Sequence, residues 1–377
     1  MKGFFVTYPL HNMRDHSGIR KKIDAQIKAI CDAGLNCKEI CLRASKLGLP
    51  IPIIKKLQFL PFINIWPVWE YKPQFDTADF LYMRRPSAMS GAMIRVLRQI
   101  KRSNPKCMIV LEIPTFPYDQ EMTGLRKLLL VKDKSNRKKL GGVIDYIALA
   151  RLNDSSSKVF GVSTVTFRNG CDYNQIKLRD LVMSEDVVRF ICVANFQPSH
   201  AYERLIVGLY RYKQSGGTRK IQIHMVGEGR ESDRYKNMVN KLSLDNEVVF
   251  HGFLFGDALD AIYDHSDIAV SALGTYKISN NAISCIKNGE YMAKGLPVVL
   301  TDALDDIPEP CRPFCFRVPN DESAINFQDV LSAYDCLVHD ITVETLPGKI
   351  RKISREYYDI SKSVMPIVRV LKKQIVE

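Results

Sequence analysis

Short apolar runs alternating with amphipathic stretches of about 10–15 residues constrain this chain most, and the alternation occurs twice. In the first half, KGFFVTYPL reads as a buried strand. It is followed by SGIRKKIDAQIKAICDAG, a helix with Ile19, Ile23, Ile27 and Ile30 at three- to four-residue spacing, ending at Gly34. DFLYMRR and CMIVLEI read as strands around a helical AMIRVLRQIKRSN, and KVFGVSTVTFRNGCD as two short strands with an Asn-Gly turn. The second half restarts with VVRFICVA and runs strand, helix, strand through RKIQIHMVGEG, VVFHGF and IAVSAL to VVLTD. Strands separated by helices specify parallel βαβ units. The chain is therefore expected to be α/β, with two Rossmann-like doubly wound parallel-sheet domains facing across a cleft. The expected spans are 1–180 and 181–355, with 356–377 a C-terminal helix that crosses back to the first domain and kinks at Pro366.

The chain's 377 residues are comfortable for two such domains, and 46% hydrophobic content excludes a disordered chain. No apolar run reaches the roughly 18 residues that span a bilayer, and the N-terminus reads as a strand rather than a signal peptide. Ten cysteines without a CxxC pair argue for a reducing cytoplasm and against a disulfide frame or structural zinc. Charge is uneven: residues 1–180 carry a net +16 and residues 181–377 a net −3. A basic half suits nucleic acid, an anionic membrane or a phosphorylated ligand, or is simply a solvated surface.

In open parallel sheets ligands bind beyond the carboxyl ends of the strands. In the second half that rule selects VANFQPSH, VGEG (Gly227, Glu228, Gly229), FHGF (Gly252, Phe253), LGTYKISNNAIS (Asn280, Asn281, Ser284) and TDALDDIP. The helix in SCIKNGEYMAKGLPVVLTD carries Lys287 and Glu290 one turn apart. Its free N–H groups, a Ser284 cap and the Lys287 ammonium suit a phosphate or diphosphate, and Glu290 suits a ribose diol. The same spacing equally describes an exposed Lys–Glu pair worth a few tenths of a kcal/mol.

The order VANFQPSHAYERLI, IHMVGEG, VVFHGF, IKNGEYMAKGLPVV resembles the donor-binding domain of GT-B glycosyltransferases. More narrowly it resembles the retaining, glycogen-synthase-related enzymes that build bacterial surface polysaccharides such as capsule and exopolysaccharide. TFRNGCD resembles the segment closing that family's first domain, and SGIRKKIDAQIKAICDAG its first loop and helix, with Gly18 toward the donor phosphates. The resemblance implies hexosyl transfer from a UDP- or GDP-sugar, with no cofactor and no metal. It implies a glycan or polyprenyl-diphosphate-linked sugar as acceptor. This chain departs from the family pattern where Arg and Lys usually grip the diphosphate: Asn195 and His200 stand there, with Arg204 one turn on. Ala282 replaces the first of two paired glutamates, leaving Asn280 and Asn281 for polar contacts, and Arg84 and Arg85 stand where an acceptor-side His is usual. Two readings follow. Either His200, Arg204 and Lys287 stabilise the leaving diphosphate, or the chain is an inactive homologue serving as a binding or chaperone-like partner.

In the basic half, Glu112, Asp119 and Glu121 follow a strand and are candidates to orient or deprotonate an acceptor hydroxyl; exposed turn acids are the alternative. The segment 49–69 holds Trp66 and Trp69 with Lys55 and Lys56, a candidate contact with the anionic inner leaflet of the membrane, or else an irregular core segment. LRKLLLVKDKSNRKK (125–139) is an interfacial helix if its leucines are exposed and a solvated loop otherwise. His224 and His251 read as structural. Nucleic-acid binding is a remote alternative with no recognised motif behind it.

Overall fold

The computed structural model describes residues 1–8, 18–43, 53, 67–119, 122, 124, 126–151, 157–180, 186–278, 285–302 and 307–373. It divides into two compact units, Met1–Arg168 with Ile360–Glu377, and Asn169–Asp359. The first limit falls 12 residues before the one suggested by the sequence and the second four residues after it.

In chain order the first unit comprises β1 (Lys2–Thr7), α1 (Gly18–Asp32), β2 (Asn36–Cys41), β3 (Phe80–Arg84), α2 (Gly91–Ser103), β4 (Met108–Ile113), α3 (Arg126–Arg137), β5 (Tyr146–Leu149), β6 (Lys158–Val159) and β7 (Val162–Thr166). The sheet order is β2-β1-β3-β4-β5-β7-β6, parallel except for the β6–β7 hairpin. That hairpin turns at Phe160-Gly161, not at Asn169-Gly170, because both turn residues take positive φ (51° and 79°). β4 is buried at all six residues, as a central strand covered on both faces must be.

One helix, α1, departs in part from the face that its isoleucine spacing suggests. α1 turns Ile23, Ala29 and Ile30 inward together with Lys22 and Gln26, and leaves Ile19 exposed. The polar pair is drawn in by Glu112 on β4, described below. α2 follows the expected pattern, burying Met93, Ile94, Leu97 and Ile100 behind a Ser90 cap whose side chain accepts the Met93 N–H.

The second unit comprises β8 (Val187–Val193), α4 (Glu203–Gln214), β9 (Lys220–Val226), α5 (Ser232–Lys241), β10 (Val248–Gly252), α6 (Asp257–Asp264), β11 (Ile268–Val270), α7 (Ile286–Ala293), β12 (Val298–Thr301), β13 (Cys315–Val318), α8 (Phe327–Asp340) and α9 (Leu346–Tyr358). Its all-parallel sheet runs β10-β9-β8-β11-β12-β13, the doubly wound order, which reverses direction beside β8. Gly295 ends α7 at φ 82°, where a Cβ would lie 2.6 Å from Pro347.

After Asp359 the chain adds α10 (Ile360–Ser363) and α11 (Met365–Lys372) to the first unit. Ile367, Val368 and Leu371 pack there with Phe5, Phe80, Ile23 and Ile30. Pro366 does not kink a continuous helix; it lies in the first turn of α11, where its missing N–H costs nothing.

Candidate functional site

The carboxyl ends of β8, β9, β10, β11 and β12 open on one edge of the second unit, and the loops leaving them interlock. After β8, Asn195 is exposed, with its side-chain oxygen accepting from Gln197 Nε2 at 3.1 Å. Pro198–His200 then makes a 3-10 turn, and Ala201 takes φ 46°. The loop after β11 fastens to it, with the Leu273 and Gly274 N–H groups donating to His200 O and Ser199 O at 3.0 and 3.1 Å.

The VGEG turn after β9 crosses the same loop. A Cβ at Gly227 would lie 2.0 Å from Ala194 O, and one at Gly229 2.5 Å from Phe196 N. These glycines are therefore required by a neighbouring loop, whatever binds nearby. Glu228 reaches Lys236 at 3.5 Å. Gly252 has φ 64°, and its carbonyl accepts the Gly227 N–H at 2.6 Å. Beyond it Phe253 is exposed, its ring parallel to that of Phe255.

α7 brings Lys287 to this edge. Two buried bonds hold the helix: the Tyr291 hydroxyl accepts Val193 N–H at 2.9 Å, and Ser271 Oγ donates to Asn288 Oδ1 at 2.6 Å. Cys285, not Ser284, is the cap, and it makes no side-chain cap bond. The Lys287 ammonium lies 3.3 Å from the Tyr202 hydroxyl and above that ring. Among the described residues it has no ion pair. Burial lowers its pKa from the ordinary lysine value, against the opposing effect of Cys285, Cys192 and Glu290. A half-buried cation without a salt-bridge partner among the described residues, at the carboxyl edge of a parallel sheet, is suited to receive an anion. Glu290 lies half-buried one turn further along α7.

Two expected cations do not serve as such. His200 accepts the Gln197 N–H at Nδ1, 3.0 Å away, so the ring is neutral and offers only an Nε2–H. Burial first, then the Lys287 charge, push its pKa down to about 2. Arg204 is 2% exposed and spends its guanidinium on backbone carbonyls: Nε on Ser323 at 2.6 Å, Nη1 on Leu273 at 2.6 Å and Nη2 on Pro319 at 2.8 Å. It shapes the site by tying loops together and has no fork left to grip a diphosphate. Tyr202, which no sequence pattern singled out, is the fully buried ring joining the group: it stacks on His200 and meets Lys287. Asn280, Asn281, Ala282 and Ser284 lie outside the described residues.

His224 and His251 form a pair on β9 and β10, Nδ1 to Nε2 at 2.9 Å. Burial lowers His224 to about 4 and lowers His251 as well. Because its folded-state pKa is depressed, His224 contributes stability that is fully present above about pH 6.5 and is lost as pH falls through about 4. Urea titrations of wild type at pH 7.5 and 5 should show a loss on the order of 2 kcal/mol, flattened in His224→Gln; equal pH slopes in both proteins refute this assignment.

In the first unit Glu112 cannot act as a base. It is fully buried and accepts from Lys22 Nζ (2.8 Å), Gln26 Nε2 (2.9 Å), Tyr82 OH (2.5 Å) and Arg84 Nη1 (3.3 Å). Asp119 is held by Arg137 at 2.6 and 3.1 Å, which lowers its pKa. Arg85 lies flat on the Tyr118 ring, 3.8 Å from its centroid. Gly18 opens α1, and among the described residues nothing lies near a notional Cβ. Trp69 packs against the core rather than presenting itself to a membrane. Glu121, Trp66, Lys55 and Lys56 lie outside the described residues. Among the described residues no helix is long and apolar enough to cross a membrane, and no three His, Cys, Asp or Glu side chains gather as metal ligands.

Residues 188–326 match the family model described as "Glycosyl transferases group 1". No curated protein matches the sequence. Solved structures resemble the whole chain. A glycosyltransferase from Rickettsia africae has TM-score 0.64 at 13% identity, covering 99% of both chains. Sucrose-phosphate synthase from Thermosynechococcus elongatus has TM-score 0.63 at 14% identity, covering 98% of this chain and 99% of its own. Anabaena HepE in complex with UDP has TM-score 0.59 at 13% identity, again covering 98% and 99%. At such identities the likeness shows the fold.

Proposed function

We propose that this chain, a GT-B fold whose residues 188–326 match the glycosyl transferases group 1 model, moves a hexosyl group from a nucleotide-sugar to a glycan or lipid-linked acceptor. The observation that carries the reading is Lys287, a half-buried ammonium without a salt bridge among the described residues, on the edge where this fold receives ligands. In transfer the C1–O bond to the diphosphate breaks as the bond to the acceptor oxygen forms, and charge grows on the leaving diphosphate. Lys287 meets that charge, with the first N–H groups of α7 and the neutral His200 Nε2–H as further donors. Glu290 accepts from the ribose hydroxyls.

The proposed stereochemistry is retention, with the departing phosphate oxygen taking the acceptor proton, and the proposed charge stabilisation is by the lysine rather than by a metal. HepE, solved with UDP, with UDP and glucose and with UDP-glucose, supports UDP ahead of GDP as the base to test. The proposed acceptor carries a phosphate, in keeping with the +16 of residues 1–180. Its setting is surface-polysaccharide assembly at an anionic inner leaflet.

Lys287→Met separates this reading from a merely structural lysine. UDP at about 100 times its dissociation constant should stabilise the wild type by roughly 2.7 kcal/mol. In Lys287→Met the unliganded protein should be as stable as wild type or more so, because a desolvated charge is gone, while UDP affinity falls at least about tenfold. Calorimetric UDP and GDP titrations decide it. No binding of either by folded wild type favours the inactive-homologue reading, and unchanged affinity in the variant removes Lys287 from the donor site.

A further inference from the structure

α3 faces the wrong way for an ordinary surface helix. Its inward stripe is Leu129, Asp133 and Asn136, two of them polar. Asp133 is fully buried and accepts Met89 N–H and the Tyr118 hydroxyl, both at 2.7 Å, while Asn136 Nδ2 donates to Met89 O at 3.3 Å. These buried bonds fix the rotation of the helix, since turning it would strand a carboxylate in the core. The opposite stripe is consequently committed to solvent, and it is apolar at its middle: Leu128 is 54% exposed and Val131 70%. Exposed Lys127, Lys134 and Lys138 surround them on the same side. Asp119, near this rim, is already held by Arg137, with Lys134 at 3.4 Å.

We propose that this outward face of α3 docks the first unit onto an anionic lipid surface, with Leu128 and Val131 entering the headgroup boundary and the lysines meeting lipid phosphates. The charge pattern selects the occupant. A second copy of the chain would bring lysines against lysines, and a nucleic-acid backbone would leave the two aliphatic side chains uncovered. A bilayer of acidic phospholipid satisfies both at once. This is the second of the two segments that the sequence suggested, 125–139 rather than 49–69, although of its three leucines only Leu128 is exposed, Leu129 being buried and Leu130 half-buried. It deepens the membrane part of the proposed function while standing on the first unit alone.

Cosedimentation of the full chain with phosphatidylglycerol-containing vesicles tests it, with pure phosphatidylcholine vesicles as reference. Wild type should partition to the anionic vesicles and release with salt. Leu128→Ser/Val131→Ser should lower the partition coefficient about tenfold, and Lys127→Glu/Lys138→Glu should lower it at least as far. Both pairs are exposed, so thermal melting should be unchanged. Wild-type binding that neither double variant weakens overturns the α3 face but leaves membrane association standing. Equal binding to neutral vesicles overturns the choice of an anionic surface, and no binding to any vesicle removes the membrane reading altogether. UDP binding, measured in parallel, is expected to be untouched in both variants.

Discussion

Glu112→Ala is expected to be the most destabilising single change in the first unit. The carboxylate is fully buried, and removing it leaves two cations, Lys22 and Arg84, without their shared anion, together with the Tyr82 and Gln26 donors. Breaking a buried ion pair from one side costs about 3–5 kcal/mol, against a total stability of about 5–15 kcal/mol for a typical domain. Denaturant unfolding should show the first transition collapse, while the second unit keeps its own. Removing both charges in Glu112→Met/Lys22→Met should recover a large part of the loss, because an apolar pair needs no compensation. Wild-type stability in Glu112→Ala would sink the account.

The acid profile gives a second handle. Burial raises the Glu112 pKa, but Lys22, Arg84 and the hydrogen bonds outweigh it and hold the group at about 2. A depressed carboxylate contributes stability above its unfolded pKa and loses it as pH falls through the folded one. This contribution should therefore persist to about pH 4.5 and fade toward pH 2. The His224 contribution fades earlier, so the two units should soften in different pH ranges.

That buried cluster also marks where reading along the chain stops. LEIPTFPYDQE shows an acid at the end of an apolar run, and Lys22 and Gln26 share one side of α1, so each half of the arrangement is visible. Nothing local says that they meet, because Lys22 and Glu112 are 90 residues apart. The doubly wound parallel class was legible, since it depends on repeated βα spacing, but the strands Asn36–Cys41, Tyr146–Leu149 and Cys315–Val318 were not. The placing of Asn195 and Phe253 on loops that leave the carboxyl ends of strands was legible too. The rotation of α3 was not, because Asp133 looks like a solvent residue until Met89 and Tyr118 are placed against it. At the candidate site the sequence pointed to loops that the structure gathers at one sheet edge and to Lys287 beside them, while the bonding of His200 and Arg204 emerged only with the hydrogen bonds. A histidine that accepts a backbone N–H and an arginine filled with carbonyls look, as letters, like phosphate ligands.

Arg204→Ala is the second large effect expected, and it separates the two views of that residue. Its three carbonyl partners come from Leu273, Pro319 and Ser323, in loops 69 to 119 residues downstream, so the guanidinium is the knot joining the loop after β11 to the segment after β13. Removing it leaves buried acceptors unpaired and a cavity behind, at a cost of about 3 kcal/mol or more. The Leu273 loop is also bonded to the His200 carbonyl, so UDP affinity should fall as well, without any lost contact to the ligand. Arg204→Lys is the informative companion. A residue gripping diphosphate by charge would tolerate lysine, and its alanine variant would melt like wild type. A residue bridging three carbonyls in fixed directions cannot be replaced by a point charge, and lysine should restore less than half of the lost stability. Chemical denaturation of both variants without nucleotide reads this directly. A normal melt for Arg204→Ala returns Arg204 to the candidate ligand contacts, whereas a shared destabilisation keeps it as the joint between the two loops.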